Sequence, residues 1–210
     1  MLKKIIVLLN LFIMISLPSL KAEETINDLM VKATQFAEEE RYGEAIKQYE
    51  TVLEREPKNV KALLLTGLAY ANLNKPEEAV RYTKKAAELD PSYTAYYNLG
   101  LIYAANNQPV KALEAFDQAL ALNPTSYMAE YQKGITYSIQ KDYESAARAF
   151  QRSIELNPDF EDAHIGLVGS TYKKGDKAQA ETYIEELRKS QKSVLAEKLE
   201  NWIKEKETGA

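Results

Sequence analysis

Residues 95–124 read AYYNLGLIYAANNQPVKALEAFDQALALNP, and the pattern of this segment is the one that the rest of the chain repeats. Its first half carries apolar residues at helical spacing, which places Ala95, Leu99 and Ile102 on one face of a helix. An asparagine-rich turn and a second amphipathic segment follow, and Pro124 marks the end of that segment. The stretch therefore predicts two short helices joined by a tight turn.

Gly100 lies inside the first of these helices, where glycine costs about 1 kcal/mol relative to alanine. The second helix offers two small residues, Ala112 and Ala119, with Phe116 between them. We expect Gly100 to let the second helix approach closely. The prediction fails if Gly100 faces water.

The same positions recur along the chain at intervals of 34, 33 and 34 residues, so the chain is an array of one structural unit. The columns are a small residue (Ala33, Gly67, Gly100, Gly134, then Val168), an aromatic residue (Phe36, Tyr70, Tyr103, Tyr137, then Thr171), an alanine (Ala45, Ala79, Ala112, Ala146, Ala180), a bulkier residue (Tyr49, Thr83, Phe116, Phe150, Ile184) and a closing proline (Pro57, Pro91, Pro124, Pro158, then Lys192). The fifth unit is degenerate because it lacks the glycine, the aromatic residue and the proline.

This pattern resembles the tetratricopeptide repeat family, whose period is about 34 residues with these columns in this order. The resemblance covers residues 26–192, in five units: 26–59, 60–92, 93–126, 127–160 and the degenerate 161–192. It implies an all-α, right-handed superhelical solenoid of antiparallel helix pairs with a concave surface. Residues 193–207 are expected to form a C-terminal capping helix with Ser193 as its N-cap. Trp202 is expected to plug the exposed face of the fifth pair, with partner binding as the alternative.

The first 22 residues differ from the rest of the chain. Lys3 and Lys4 precede an apolar run, Ile5–Leu17, and a short segment ending at Ala22 follows. This is the layout of a secretory signal peptide, and the run is short for a membrane span, which needs about 20 apolar residues. We expect cleavage after Ala22 and export to the periplasm or cell envelope. An uncleaved N-terminal anchor is the main alternative, and a non-secretory helix is the third.

Charge and cysteine content exclude several classes of function. The absence of cysteine excludes disulfides and thiol chemistry. Without the first 22 residues and their three lysines, 24 basic residues remain against 31 acidic ones, a net charge of −7. An acidic chain is a poor ligand for nucleic acid or for an anionic membrane surface. We therefore expect no nucleic-acid partner, and no membrane contact beyond an N-terminal anchor.

Signals of catalysis and of metal binding are missing from the sequence. His164 is the only histidine, which falls short of the roughly three or four histidine and cysteine ligands of most zinc sites. It also occupies a packing column, so we expect it to be structural. No glycine-rich phosphate loop or nucleophile elbow is present. We expect no enzymatic activity, no catalytic residues and no cofactor.

The family resemblance places partner-binding residues on the first helix of each pair, facing the concave side. Family members that bind the C-terminal carboxylate of chaperones use lysines, an arginine and asparagines there. This chain has only Asn98 nearby, and none of the required lysines. The chaperone-tail activity is therefore not expected.

The predicted partner-binding groove is apolar and rich in tyrosine: Leu64, Leu68, Tyr97, Leu101, Tyr131, Ile135 and Tyr172. Tyrosine suits binding surfaces because it combines a large apolar area with a polar tip. An apolar peptide or amphipathic helix of a protein partner would fit such a groove. Two alternatives remain: the groove is filled by contacts between neighbouring repeats, or it serves self-association into a homo-oligomer.

Gly166 and Gly169 both lie in the first helix of the fifth pair, and each costs that helix about 1 kcal/mol. They predict either an adaptable end of the array or close packing of the final cap on that helix.

These features predict an exported, non-enzymatic scaffold for protein–protein interaction in cell-envelope assembly. The alternative is a cargo-handling adaptor for unfolded or pilus-type clients. One stoichiometric partner would favour the scaffold, whereas several unfolded clients would favour the adaptor.

Overall fold

The computed structural model describes residues 24–208, and all of the regular structure in that range is helical. Its eleven helices are α1 Ile26–Glu38, α2 Tyr42–Arg55, α3 Val60–Asn72, α4 Pro76–Leu89, α5 Tyr93–Ala105, α6 Pro109–Leu122, α7 Tyr127–Ile139, α8 Tyr143–Leu156, α9 Glu161–Lys174, α10 Lys177–Lys189 and α11 Ser193–Thr208. The predicted signal peptide, residues 1–22, lies outside the described residues.

Helices α1 to α10 form five pairs, and each pair packs on the next one along the chain. In addition, the first helices of successive pairs contact one another directly: α3 touches α5, α5 touches α7, α7 touches α9, and α9 touches α11. These helices therefore share one continuous side of the molecule, which we call the inner face. The predicted all-α solenoid of helix pairs is confirmed.

A left-handed residue ends the turn inside each pair. Its φ is 59° at Glu40, 54° at Asn74, 51° at Asn107, 64° at Lys141 and 97° at Gly175. The next residue donates its backbone N–H to the carbonyl oxygen of the residue in the aromatic column of the same pair. For example, the N–H of Gln108 donates to the carbonyl oxygen of Tyr103 at 2.9 Å. This hydrogen bond satisfies a carbonyl that the helix end leaves open. The same kind of turn therefore recurs in all five pairs.

Small residues let the two helices of a pair nest. A methyl group added at Gly100 would lie 2.5 Å from a ring carbon of Phe116, and one added at Gly134 would lie 2.6 Å from the ring of Phe150. Gly100 and Gly134 are both buried. The predicted close approach of the second helix is therefore confirmed.

Helix α11 covers the last pair. Leu195, Leu199 and Ile203 are each at most 5% exposed and pack with Ile184 and Leu187 of α10 in one core cluster. The predicted capping helix is confirmed, although the helix begins at Ser193 itself, so this residue is not the N-cap. No helix within residues 24–208 is both long and apolar enough to cross a bilayer.

Candidate functional site

All seven residues of the predicted groove lie on first helices of their pairs, and all are half-buried: Leu64, Leu68, Tyr97, Leu101, Tyr131, Ile135 and Tyr172. Half-burial means that each residue shares its surface between solvent and a neighbour within the protein. What each side chain touches decides how much of the inner face is open to a partner.

In the third pair, Tyr97 takes part in aromatic packing. The Tyr97 ring stacks on Tyr93 with centroids 5.5 Å apart, and it lies 5.9 Å from the ring of Phe116. Burial raises the pKa of the Tyr97 phenol. This tyrosine is a packing residue as much as a surface residue.

In the fourth pair, Tyr131 lies between two phenylalanines. Its ring centroid is 5.6 Å from that of Phe150 and 4.9 Å from that of Phe160, the second contact being edge-to-face. Burial raises the pKa of the Tyr131 phenol as well. Phe160 precedes the next pair, so the contact fills space between neighbouring repeats.

At the end of the array, Tyr172 meets the capping helix. Its ring makes an edge-to-face contact with Trp202, with centroids 5.4 Å apart. Trp202 is half-buried and packs at the edge of the core cluster formed by α9, α10 and α11. The buried plug consists of Leu195, Leu199 and Ile203, and Trp202 borders an opening beside it.

That opening is a pocket of about 520 Å³ on the inner face, between α7, α8, α9 and α11. Its walls are mainly apolar and comprise Ile135, Ile139, Phe150, Ile165, Leu195, Leu199 and Trp202. Ile139 is 61% exposed and Ile165 is 45% exposed, so the apolar surface continues past the pocket mouth. Of the seven predicted groove residues, only Ile135 lines this pocket.

The pocket exists because the fifth pair lacks a side chain where the other pairs have one. Gly169 occupies the column of Leu101 and Ile135. A methyl group added at Gly169 would have no neighbour within 4 Å, whereas one at Gly166 would lie 2.6 Å from the Phe150 ring. Gly166 therefore makes room for Phe150, and Gly169 faces the empty space.

Of the two predictions about this glycine pair, close packing of the cap does not explain Gly169, and the adaptable end stays a prediction. The capping helix does not pack closely on Gly169, and Gly166 packs against the preceding pair. The sequence alone could have indicated the pocket, because Gly169 replaces a large apolar residue in a groove column.

The sequence model of the tetratricopeptide repeat family matches residues 93–126 and 127–160, and a second model of that family matches residues 31–93. The chain belongs to the tetratricopeptide repeat family. Its pocket lies at the junction of the fourth repeat, the fifth repeat and the cap.

Similar proteins share the repeats with this chain. Hsp70-Hsp90 organizing protein 3 of Arabidopsis thaliana is 32% identical over 94 residues, which make up 44% of this chain and 17% of that protein. The chain therefore spans less than a fifth of that relative. The solved structure of MamA is 28% identical with a TM-score of 0.73, over 80% of this chain and 93% of MamA. PilW, a type IV pilus biogenesis factor, is alike in fold at 23% identity and a TM-score of 0.67, over 87% of this chain and 93% of PilW.

The polar groups of this tetratricopeptide repeat pocket are few. The hydroxyls of Ser138 and Ser170 lie 3.2 Å apart and hydrogen-bond to each other. Lys173 and Lys198 line the pocket as well, and no aspartate or glutamate does. Both lysines are exposed, and neither forms an ion pair within residues 24–208. The site thus offers an apolar floor with positive charge along its lining.

Groups that bind metals do not cluster in this repeat array. Within residues 24–208, no three side chains among histidine, cysteine, aspartate and glutamate come together as a metal site would require. The Nε2 of His164 lies 2.8 Å from the carbonyl oxygen of Pro158, to which an N–H donates. This hydrogen bond ties the start of the fifth repeat to the preceding loop.

Proposed function

We propose that this protein is an exported, non-enzymatic scaffold that holds an apolar peptide or helix of a protein partner during cell-envelope assembly. The observation that carries the proposal is the apolar pocket between the fourth repeat and the cap, which the protein leaves unfilled. Contiguous exposed apolar surface costs solubility, and in soluble proteins it usually marks an interaction site. Membership of the repeat family agrees with such a role, because stacked repeats present extended concave surfaces.

The chemistry of the pocket also favours binding over catalysis. A nucleophilic serine needs an adjacent base, yet within residues 24–208 the hydroxyls of Ser138 and Ser170 have only each other as side-chain hydrogen-bond partners. His164 donates to a backbone carbonyl and does not line this pocket. The pocket therefore provides contact area without a group poised for proton transfer.

The partner of the plant relative is not carried over to this chain. The name of that relative describes an organizer of Hsp70 and Hsp90, and the matching segment is 17% of its length. The inner-face columns here contain leucine, isoleucine and tyrosine in place of the lysines that chaperone tails require. The proposed partner is therefore an apolar segment rather than an acidic chaperone tail.

Site-specific photocrosslinking in native cells tests the binding role. The photoreactive residue benzoylphenylalanine replaces Ile139 at the pocket mouth. In the control it replaces Glu88, an exposed residue on α4, which is the second helix of its pair. We expect a discrete crosslinked product from position 139 that is absent from position 88. Products shared equally by both positions, or none from position 139, would contradict the proposal.

The number of products separates the scaffold from the adaptor. One product in stoichiometric yield supports a scaffold. A ladder of many short-lived products supports the cargo-handling alternative, for which Ile139 and Ile165 provide an exposed, permissive apolar surface.

Export is tested at the N-terminus of the protein purified from the cell envelope. We expect mass spectrometry to give Glu23 as the first residue, which is cleavage after Ala22. Recovery of the intact chain from the membrane fraction would support the uncleaved anchor instead. Recovery from the cytoplasm would overturn the export proposal.

A further inference from the structure

The glycine that opens the pocket has no packing reason. Gly169 lies inside α9, where glycine is unfavourable relative to alanine, and a methyl group there would touch nothing within 4 Å. Gly100, Gly134 and Gly166 each make room for a phenylalanine ring, which explains them. Gly169 weakens its helix and leaves a cavity, so folding alone gives no reason for it. The need to make room for a ligand is such a reason.

The polar lining limits what the ligand can be. An extended peptide exposes backbone N–H and C=O groups, and burying them without partners is costly. The polar side chains of the lining are those of Ser138 and Ser170, whose hydroxyls pair with each other, and of the exposed lysines Lys173 and Lys198. A helix satisfies its own backbone and presents only side chains. The pocket chemistry therefore favours a helix over an extended strand.

The charge at the pocket is opposite to the charge of the whole chain. The protein has a net charge of −4, yet its pocket is lined by two lysines and no carboxylate. Lys198 has no ion-pair partner within residues 24–208, and Lys173 is positioned 6.0 Å from the ring centroid of Tyr143. Two lysines without a carboxylate partner within residues 24–208, beside an apolar floor, are complementary to acidic side chains that flank an apolar stripe.

We propose that the pocket between α7, α9 and α11 binds an amphipathic helix of a partner protein, whose apolar stripe enters beside Gly169 and whose flanking acidic residues pair with Lys173 and Lys198. This inference rests on the proposed binding function and assigns its site and the chemistry of its partner. Ile139 of α7 and Ile165 of α9 line the same pocket and add exposed apolar surface to the contact.

The test uses the mature protein and three stapled helical peptides of about 14 residues, a length that is marginal as a helix without the staple. All three carry the same leucine stripe at i, i+3, i+4 and i+7, and the flanking residues are glutamate, glutamine or lysine. Fluorescence anisotropy should give an affinity about tenfold higher for the glutamate peptide than for the lysine peptide, since two ion pairs replace two repulsions. The preference should reverse in the double variant Lys173→Glu, Lys198→Glu.

A leucine at position 169 tests the pocket itself. Gly169→Leu fills the cavity and should weaken binding of the glutamate peptide at least about tenfold, because the apolar stripe loses its place. The matched control is Gly43→Leu, which adds the same side chain at a helical glycine that also has open space around it. Circular dichroism should show both variants folded, and the control should bind like the wild type.

Several outcomes would overturn the inference. These are no binding by any peptide, equal affinity for the three peptides, or equal effects of Gly169→Leu and Gly43→Leu. Sedimentation with phosphatidylglycerol vesicles that Gly169→Leu abolishes would assign the pocket to a lipid acyl chain instead. If crosslinking at position 139 still captures a discrete protein, the binding function stands and only the helix-and-charge assignment is wrong.

Discussion

The third and fifth repeats place different residues in the same inner-face column, Leu101 in the third and Gly169 in the fifth. In the repeat of Leu101, which is half-buried, the rings of Tyr93, Tyr97 and Phe116 pack together. Around Gly169 a pocket of about 520 Å³ is open. The helix pairs repeat along the array, whereas single side chains set how much of its surface is accessible.

The phenylalanine of the fourth repeat should have the largest effect on this difference. Phe150 is 3% exposed and its ring lies against both Gly134 and Gly166, so it joins the fourth repeat to the fifth. Phe150→Ala should lower the free energy of unfolding by about 3–5 kcal/mol. Hydrogen exchange should show the loss concentrated in α9 to α11, since repeats are stabilised by their nearest neighbours.

The control for that loss is Phe116→Ala in the third repeat. It should destabilise by a similar amount without selectively exposing α9 to α11. Equal loss of protection in α9 to α11 in both variants would mean that the fifth repeat has no special dependence on the Phe150 ring.

A glycine in place of Leu101 should create a similar pocket in the middle of the array. Leu101→Gly removes a half-buried side chain from α5 and weakens that helix, so it should cost about 2–3 kcal/mol. It should also add a second binding site for anilinonaphthalenesulfonate, measured by fluorescence titration. An unchanged number of sites would show that the neighbouring tyrosines collapse into the space.

The two glycines of α9 should respond to alanine with opposite sign. Gly166→Ala pushes a methyl group into the Phe150 ring and should cost about 1–2 kcal/mol after the gain in helix propensity. Gly169→Ala meets open space and should stabilise by about 1 kcal/mol. Urea denaturation of the two variants side by side measures the contrast, and equal signs would refute the packing assignment.

The smallest effect on stability is expected at the junction of the first and second repeats, where polar side chains form hydrogen bonds. The hydroxyls of Tyr70 and Tyr82 each donate to Oε1 of Glu50 at 2.9 Å, and burial together with this carboxylate raises the pKa of Tyr70 to about 12. The raised pKa contributes stability that is complete below pH 10 and is lost as the pH rises toward 12. Thermal unfolding measured across this pH range should show a smaller loss of stability with rising pH in Tyr70→Phe than in the wild type.

The repeated columns of the sequence predict most of the fold, but they predict less of the candidate site. The spacing of Gly67, Gly100 and Gly134 identified the helix pairs and the reason for each glycine. The groove columns correctly placed Tyr97 and Tyr131 on first helices, but not their aromatic contacts, because Phe116, Phe150 and Phe160 reach them from other elements. A column shows which side of its own helix a residue occupies. It does not show what a neighbouring helix brings to that side.

The amino-acid sequence alone predicts the helical repeat, its period, the nesting of small residues against large ones and the covering of the last pair by α11. These depend on local helix geometry and on contacts that recur at fixed spacing. The position of the open pocket on the inner face, in contrast, follows from the packing of the folded chain. That outcome depends on how side chains from α7, α8, α9 and α11 share one volume, and Gly169 leaves part of that volume empty.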